Sequence, residues 1–348
     1  MSRRVAVIAG DGVGKEVIPV GVEVVSALVS GIDFEPVPWG CEYYERNGRM
    51  MPEDGLKTLA AFDAIYLGAI GWPTVPDHLS LWGLLLPIRK TFEQYVNVRP
   101  VRLLPGVRTP LAGRGPEDID MLFLRENTEG EYSGTGGRVH SGTELELAVE
   151  VPVFTRGAIE RVARYAFERA SERRRHLISV TKSNASRFTY VLWDEVVADV
   201  ARDFAGVRVE RVLVDAMAAR MVSRPDSIDV VVGSNLFADI LTDLGAAIQG
   251  SMGLAASANL DPTRRHPSMF EPVHGSAPDI AGKGRANPIG AVWSAAMMLD
   301  HLGEPDAARR VERAIDSVTD EGVALTADLG GTASTKEVGA AILAALRR

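Results

Sequence analysis

Two aspartates lie four residues apart in one predicted helix. The run from residue 233 to 243, GSNLFADILTD, places Asp239 and Asp243 in an otherwise apolar helix, and residues four apart share one helix face. We expect that face to point into the protein, where two like charges require a cation. A third carboxylate, Asp215, follows the strand-like run VERVLV and begins a helical pattern, which is the usual position of a functional group in an α/β sheet.

Three carboxylates with no His or Cys nearby are typical ligands of Mg²⁺ or Mn²⁺, which prefer oxygen and leave positions open for a substrate. The structural alternative is that Asp239 caps or pairs locally and that Asp243 lies in solvent. The remaining motifs favour the metal.

Three arginines indicate an anionic substrate. Arg89 in LLLPIRK, Arg99 in VNVRPVR and Arg125 in FLREN each lie in or beside an apolar segment. A guanidinium is costly to bury there without an anionic partner, so together they fit a molecule with carboxylates. Taken singly, each arginine also fits an ordinary ion pair.

Two further residues have types suited to proton transfer. Lys182 ends the strand run ISVTK, and Tyr132 lies in the glycine-rich turn ENTEGEYSG. An ammonium at the end of a strand can reach a site at that edge of the sheet. The structural alternatives are an ordinary strand-end lysine and a loop aromatic.

The composition is that of an ordinary globular protein and is compatible with an enzyme. The chain has 348 residues, of which 46% are hydrophobic and 24% charged, and this is long enough for two domains. A net charge of -8 argues against nucleic acid and membrane partners, and the basic run from 161 to 175 fits an amphipathic helix. Cys41 is the only cysteine, which excludes an intrachain disulfide. We expect no leader, because a strand follows Met1 directly, and no membrane span, so the predicted location is the cytoplasm.

Strand runs alternate with helical patterns along the chain, which predicts an α/β fold. Strands are predicted in RRVAVIAG, FDAIYLG, HLISVTKSN and IDVVVGSN, and a long helix over 155–175. After residue 252 the chain becomes rich in glycine and proline, and helices are predicted to dominate from there to the end. The turn GDGVGKEV does not match GxGxxG because position 15 is lysine, so a Rossmann fold is not predicted.

The second glycine-rich segment, EPVHGSAPDIAGKGRANP, carries His274, Asp279 and Asn287 among small residues. Such a loop can wrap an adenosine, and a carboxylate at Asp279 would accept from the ribose hydroxyls and repel a 2'-phosphate, which selects NAD. An Ω-loop without a ligand is an equal alternative. The small residues assigned to the same cofactor site are Gly275, Ser276 and Ala277.

Taken together, these motifs resemble the β-decarboxylating dehydrogenase family, which contains isocitrate, isopropylmalate, tartrate and D-malate dehydrogenases. The resemblance covers nearly the whole chain and rests on GDGVGKEV, RENTEGEYSG, TKSN, VDAMA, SNLFADILTDLG and EPVHGSAPDIAGKGRANP, in that order. It implies a fold of two α/β domains that is specific to the family. One domain would comprise residues 1–99 and 250–348, and the other 100–249.

The resemblance also implies roles for individual residues. Asp215, Asp239 and Asp243 would bind the metal, with Asp215 coming from the other subunit of a homodimer. Lys182, also from the partner subunit, and Tyr132 would conduct the proton transfers. A monovalent cation such as K⁺ is a further cofactor that the resemblance leaves open.

Substrate choice depends on the segment before Arg89. The run LWGLLLPIRK with Trp82 is similar to tartrate and D-malate dehydrogenases, and we expect Trp82 to close the pocket around a small acid. The implied function is NAD-dependent oxidative decarboxylation of a small 2-hydroxy dicarboxylate, D-malate to pyruvate and CO₂ or oxidation of tartrate, with Arg89, Arg99 and Arg125 holding the carboxylates. The alternative within the family is 3-isopropylmalate dehydrogenase. Arg187 follows TKSN unexpectedly and either meets a polar group or projects into solvent.

Two other classes of protein remain as alternatives. A metal-dependent lyase or hydrolase would use the aspartates without nicotinamide, but the adenosine-type loop argues against it. A catalytically silent dimeric binding protein would not need Lys182 and Tyr132. The arm over residues 133–152, with the alternating TELELAVEV, is expected to pair with its copy across the homodimer, and a shared site predicts an inactive monomer.

Overall fold

A computed structural model describes residues 2–348 of the chain. Its β-strands are β1 (Arg3–Ile8), β2 (Ile32–Pro36), β3 (Ala64–Leu67), β4 (Val96–Arg102), β5 (Asp120–Glu126), β6 (Gly130–Val139), β7 (Leu147–Val153), β8 (His176–Thr181), β9 (Arg208–Leu213), β10 (Val230–Gly233), β11 (Ala256–Leu260) and β12 (Ser268–Pro272).

Helices follow most of these strands. They are α1 (Gly14–Ser26), α2 (Cys41–Asn47), α3 (Gly55–Leu59), α4 (Asp77–Ser80), α5 (Leu86–Thr91), α6 (Arg156–Ser171), α7 (Thr189–Ala201), α8 (Val214–Ser223), α9 (Asn235–Ile248), α10 (Ile289–His301), α11 (Pro305–Glu321) and α12 (Thr335–Ala345). Within residues 2–348, none of them combines the length and the apolar character that crossing a bilayer requires.

The first of two compact units contains Met1–Gln94, Arg99–Ile119 and Gly245–Arg348. Its strands lie in the order β2-β1-β3-β12-β11, and only β11 and β12 pair antiparallel. Helix α10 packs on β12 and α1 and is buried on nearly all sides, as expected for a helix that is apolar all round.

The sequence analysis predicted no strand in the glycine- and proline-rich segment after residue 252, yet β11 and β12 lie there. The sequence of β11 is ASANL, and only its last residue is not fully buried. Its small and polar side chains give neither the apolar run nor the clean alternation by which a strand is recognised. The proline and glycine residues around both strands hide them further.

The second unit contains Tyr95–Val98 and Asp120–Leu244. Here β5, β10, β8 and β9 are neighbours in that order and all pair parallel, so their carboxyl ends lie at one edge. That edge receives Arg125 near the end of β5, Lys182 after β8, Asp215 after β9 and Asn235 after β10. Functional groups of open α/β sheets collect at such an edge.

The predicted domain boundaries near residues 99 and 250 stay a prediction.

Strands β6 and β7 form a separate antiparallel hairpin in the second unit. Val139 pairs with Leu147, and side chains two residues apart along β7 share a face. Val139, Leu147, Val149 and Val151 are respectively 52%, 55%, 49% and 45% exposed. One chain therefore leaves this apolar face uncovered.

Candidate active site

Arg125 is the centre of a cluster at the carboxyl edge of the second unit, which we call the α9 cluster and define as Arg125, Tyr132, Asn235 and Asp239. The Arg125 side chain is buried. Its Nε and Nη2 donate to Asn235 Oδ1 over 2.9 and 2.7 Å, and its Nη1 forms an ion pair with Asp239. Its Cζ lies 5.6 Å from the ring centroid of Tyr132. The cost of burying this guanidinium is thus offset by an anion and an amide oxygen.

Tyr132 contacts the same carboxylate. Its hydroxyl donates to Asp239 Oδ2 over 3.3 Å. Burial, and after it the negative charge of Asp239, raises the pKa of Tyr132. A phenol in this setting keeps its proton at neutral pH and can donate it to a neighbouring group.

The expectation that both aspartates point into the protein is wrong for Asp243 in the single chain, whereas Asp239 is partly buried against Arg125. The Asp239 side chain is 32% exposed, Asp243 is exposed, and Ile240 beside them is 58% exposed. The buried face of α9 instead carries Ala238 and Leu241. The apolar and polar residues of α9 are segregated to different sides of the helix, and Asp243 lies on the side away from the core.

Lys182 and Asp215 form a second, more open pair, which we call the 182–215 pair. Lys182 Nζ lies 2.5 Å from Asp215 Oδ1, and the two side chains are 29% and 66% exposed. The hydrogen bond from Lys182 is the main cause that lowers the pKa of Asp215. Asp215 begins α8 directly after β9, as the sequence predicted.

The other two predicted arginines lie buried in the first unit. Arg89 Nη2 donates to Glu271 Oε1 over 2.7 Å, and Asn259 Nδ2 donates to the same oxygen over 2.7 Å. Arg99 is 6% exposed. Both are thus held inside the protein, as their apolar sequence neighbours indicated.

Trp82 lies in a short π-helical turn, Leu81–Leu85, and is 41% exposed. The Nζ of Lys90 lies 4.8 Å from the centroid of its ring. Its expected contact with a substrate stays a prediction. Arg187 has its Cζ 4.9 Å from the ring centroid of Phe188, which is itself 76% exposed.

A cavity of about 480 Å³ lies in the first unit beside the predicted cofactor loop. Its lining includes His274, Gly275, Ala277 and Asn287 among the predicted residues, and not Ser276 or Asp279. The full lining is Val13, Ser251, Met252, Gly253, His274, Gly275, Ala277, Ile280, Arg285, Ala286, Asn287, Ala327 and Asp328.

His274 has one ring nitrogen without a protein partner in this cavity. Its Nδ1 lies 3.0 Å from Gly275 O, whereas Nε2 is buried and makes no hydrogen bond within residues 2–348. Burial lowers the pKa of His274, so the ring is neutral near pH 7. A buried nitrogen left unpaired is costly, and a ligand that supplies its partner would remove that cost.

The glycine turn after β1 meets the cofactor loop. Val13 N donates to Ser276 O over 2.9 Å. Gly12 has φ of +52°, and a Cβ there would lie 2.1 Å from Ser276 O, so only glycine allows this approach. Ser276 therefore holds the loop in place through its backbone, while Asp279 is exposed.

Comparison with known proteins identifies the family to which this chain belongs. The family model described as isocitrate/isopropylmalate dehydrogenase matches residues 4–342. The chain belongs to the isocitrate/isopropylmalate dehydrogenase family. An isocitrate dehydrogenase from Methylococcus capsulatus has a crystal structure that matches with a TM-score of 0.91 at 34% identity, over 99% of this chain and 100% of that one.

Within this family, the curated relatives include enzymes named for small acids. A probable tartrate dehydrogenase/decarboxylase of Agrobacterium vitis is 52% identical over 99% of this chain and 97% of its own length. The D-malate dehydrogenase (decarboxylating) of Escherichia coli is 52% identical over 97% of each chain. The predicted family, fold class and enzyme class, a decarboxylating dehydrogenase, are confirmed.

The three predicted metal ligands, Asp215, Asp239 and Asp243, do not come together within residues 2–348. Within residues 2–348 no three His, Cys, Asp or Glu side chains converge as a metal site. The donor chemistry nevertheless fits a hard dication, since the carboxylates of Asp239 and Asp243 lie one turn apart on α9 and Asp215 is exposed at the start of α8. The metal site formed by these three aspartates stays a prediction.

Sequence reasoning missed two acidic residues that contact predicted site residues. Asp328 Oδ2 accepts from Ser251 Oγ over 2.5 Å and from Asn287 Nδ2 over 3.0 Å, and Glu271 holds Arg89. Glu271 is the first residue of the EPVHG motif, so that motif could have indicated it. The sequence around Asp328 shows no pattern that would have indicated a role for it.

Proposed function

We propose that this dehydrogenase catalyses NAD- and divalent-metal-dependent oxidative decarboxylation of a small 2-hydroxy dicarboxylic acid. D-malate, converted to pyruvate and CO₂, and tartrate are the substrates that the names of the relatives suggest. The observation that carries the proposal is the α9 cluster. It brings the buried Arg125 guanidinium, the Tyr132 phenol and the Asp239 carboxylate together at one edge of a parallel sheet, and this supports roles for them in binding a carboxylate, in proton transfer and in holding a cation.

The reaction needs two proton transfers and one hydride transfer. Oxidation of C2 would pass its hydride to NAD and release the proton of the C2 hydroxyl, and the resulting 2-keto acid would lose the carboxylate on C3 as CO₂. C3 would then take up a proton. Lys182 accepts the first proton in this proposal and Tyr132, whose hydroxyl is protonated at neutral pH, donates the last.

The substrate's carboxylates are assigned to the arginines Arg89, Arg99 and Arg125. A guanidinium remains charged at any physiological pH, so these residues bind and orient without exchanging protons. All three are buried, and this makes their attraction for a carboxylate stronger than it would be in water.

The cofactor is assigned to the cavity around His274 and Asn287. NAD supplies the hydride acceptor when bound. Asn287 is oriented on both sides, because its Nδ2 donates to Asp328 and its Oδ1 accepts from Ile289 N over 3.0 Å. Asp279 lies exposed on the same loop, where its carboxylate would disfavour the 2'-phosphate of NADP.

Asp215, Asp239 and Asp243 are proposed to hold Mg²⁺ or Mn²⁺, which lowers the pKa of a bound hydroxyl and neutralises developing negative charge. We assign Asp215 and Lys182 to the partner subunit of a homodimer. The exposed apolar face of the β6–β7 hairpin supports this assembly, since an isolated two-stranded sheet is marginally stable in water. Pairing with a second copy would cover it.

A substrate panel tests the proposal directly. NADH formation is followed with D-malate, both tartrates, 3-isopropylmalate and isocitrate, each with Mn²⁺ and either NAD or NADP, and pyruvate is measured as the product from D-malate. We expect D-malate or a tartrate with NAD to give the highest kcat/KM. A preference for 3-isopropylmalate or isocitrate, or faster turnover with NADP, would overturn the substrate or cofactor assignment. No NADH with any acid would refute the function.

A further inference from the structure

Asn235 is the first residue of α9, and its side chain is 1% exposed. The amide oxygen accepts two hydrogen bonds from one edge of the Arg125 guanidinium, and the amide nitrogen donates to Glu129 O over 3.0 Å. All three residues belong to the second unit. One amide therefore joins the end of β5, the start of α9 and the turn that leads into β6.

Each of these elements carries a group of the α9 cluster. Strand β5 carries Arg125, β6 carries Tyr132 and α9 carries Asp239 one turn after Asn235. Asp239 meets the Nη1 side of the guanidinium, opposite the Nε edge that faces Asn235. The two bonds to Asn235 fix the Nε and Nη2 edge and thus the plane of the fork.

We propose that Asn235 is a positioning residue that sets the plane of Arg125 for the substrate's carboxylate. This inference rests on the proposed function, because it assumes that Arg125 binds that carboxylate. Asn235 itself does not touch the substrate in this proposal. It acts through Arg125, whose carboxylate recognition depends on the direction of its donors as well as on its charge.

Both ends of the Asn235 amide make a contact, so replacing either the oxygen or the nitrogen removes a hydrogen bond. A carboxylate at residue 235 would still accept from Arg125 but would lose the donor to Glu129 O. A methyl group would lose both contacts and leave the Nε edge of a buried guanidinium without the acceptor that it now has. Asn235→Asp is therefore the conservative variant, and Asn235→Ala is the disruptive one.

The test compares steady-state constants of the wild type, Asn235→Ala and Asn235→Asp at saturating NAD and Mn²⁺. We expect Asn235→Ala to raise the KM for the preferred hydroxy acid about tenfold, which is within the range for charged hydrogen bonds. The kcat should fall less than about threefold, and the KM for NAD should not change, because Arg125 does not bind the cofactor. Asn235→Asp should recover most of the lost affinity.

A binding readout separates positioning from turnover. Malonate has two carboxylates and no hydroxyl to oxidise, so its protection against thermal unfolding reports carboxylate binding alone. Asn235→Ala should need about tenfold more malonate for the same protection. Ser179→Ala is the matched control, because it removes another buried hydrogen bond of the second unit, from Trp193 Nε1 over 3.0 Å, and should leave the malonate requirement unchanged.

A double variant shows whether Asn235 acts through Arg125. Arg125→Lys removes the fork, so adding Asn235→Ala to it should raise KM no further, whereas independent effects would multiply. Multiplying effects, an unchanged KM in Asn235→Ala, or equal losses in kcat and in both KM values would overturn the inference. A wild type without activity on any hydroxy acid would instead refute the proposed function.

Discussion

The α9 cluster and the 182–215 pair lie at the same edge of one parallel sheet, yet one chain completes only the first. In the α9 cluster, Arg125 is 2% exposed and has Asn235, Asp239 and the Tyr132 ring around it. In the 182–215 pair, the carboxylate is 66% exposed and the lysine 29%. The first resembles a preorganised binding site, and the second resembles a surface ion pair.

The difference shows how burial separates stability from function at neighbouring positions. Buried charges that have partners are costly to disturb, because removal of one partner leaves the other uncompensated. Exposed pairs contribute little to stability, since water and salt screen them. The 182–215 pair therefore contributes little to the stability of its own chain. If the pair is required for turnover, its role would lie in contacts with another chain.

The largest expected effect is on turnover and comes from the exposed pair. Lys182→Ala should lower kcat by about 10²- to 10⁴-fold, which is the usual contribution of a positioned acid or base. Its melting temperature should stay that of the wild type, because the contact with Asp215 is exposed. Initial rates of NADH formation and thermal denaturation of the same preparation provide the two measurements.

Lys336→Ala is the matched control, as Lys336 is exposed on α12 and has no assigned role. It should change neither quantity. An active Lys182→Ala variant would remove Lys182 from the proposed mechanism. A variant that is inactive and also much less stable would contradict the comparison between the two regions.

Mixing two inactive variants tests whether the 182–215 pair serves the partner's site. In a dimer of one Lys182→Ala chain and one Tyr132→Phe chain, a shared arrangement restores one intact site out of two. Random exchange of subunits makes about half of the dimers mixed, so the mixture should regain roughly a quarter of wild-type activity. Each variant alone should remain at its own low rate.

The subunits need time to exchange, so the mixture is refolded together from denaturant and compared with the two variants refolded apart. Light scattering confirms that the mixture is dimeric. Sites built within a single chain would give no recovery, because every chain then lacks one of the two residues. Such a result would also show that the open character of the 182–215 pair has another cause.

Sequence reasoning located the elements of this edge well, because strand and helix patterns are local. Lys182 follows β8 and Asp215 begins α8, as predicted. The exposure of Asp243 was predicted wrongly, because its carboxylate was assigned to the core-facing side of α9, which Ala238 and Leu241 occupy instead. Asn235 was missed for a different reason: its importance arises from contact between β5 and α9, which are far apart in the chain.

The α9 cluster should contribute more to the free energy of unfolding than the 182–215 pair, although the largest loss of turnover is expected from the 182–215 pair. Arg125→Met removes the cation beside Asp239 and both bonds to Asn235, and should lower the free energy of unfolding by about 2 kcal/mol. This is less than the 3–5 kcal/mol of a fully buried pair, because about a third of the Asp239 side chain is exposed. Asp215→Asn should cause no measurable change.

Urea denaturation of both variants at equal protein concentration measures this contrast. Equal losses of stability would mean that exposure in one chain does not describe the assembled protein. Similar stability of Arg125→Met and the wild type would mean that the α9 cluster is not held together by its ion pair. Either result would weaken the distinction between the two regions.

The smallest expected effect concerns Glu126, which is buried next to Arg125 in β5. Its carboxylate accepts from Thr128 N, Thr128 Oγ1 and Glu129 N over 2.9, 2.7 and 2.9 Å. Burial nevertheless outweighs these bonds and raises the pKa of Glu126. A raised folded-state pKa means that the neutral form stabilises the fold below the ordinary carboxyl pKa of about 4.3, and that this stability is lost as pH rises through the raised value.

Glu126→Gln cannot ionise, so it should lack this loss. The free energy of unfolding of the wild type relative to Glu126→Gln should therefore be higher at about pH 4 than at about pH 7. The comparison uses the difference between the two proteins, because lost acceptors affect the variant equally at both pH values. If the wild type instead gains stability relative to Glu126→Gln as pH rises, the three hydrogen bonds outweigh burial. The α9 side of the sheet edge would then tolerate charge as readily as the 182–215 side.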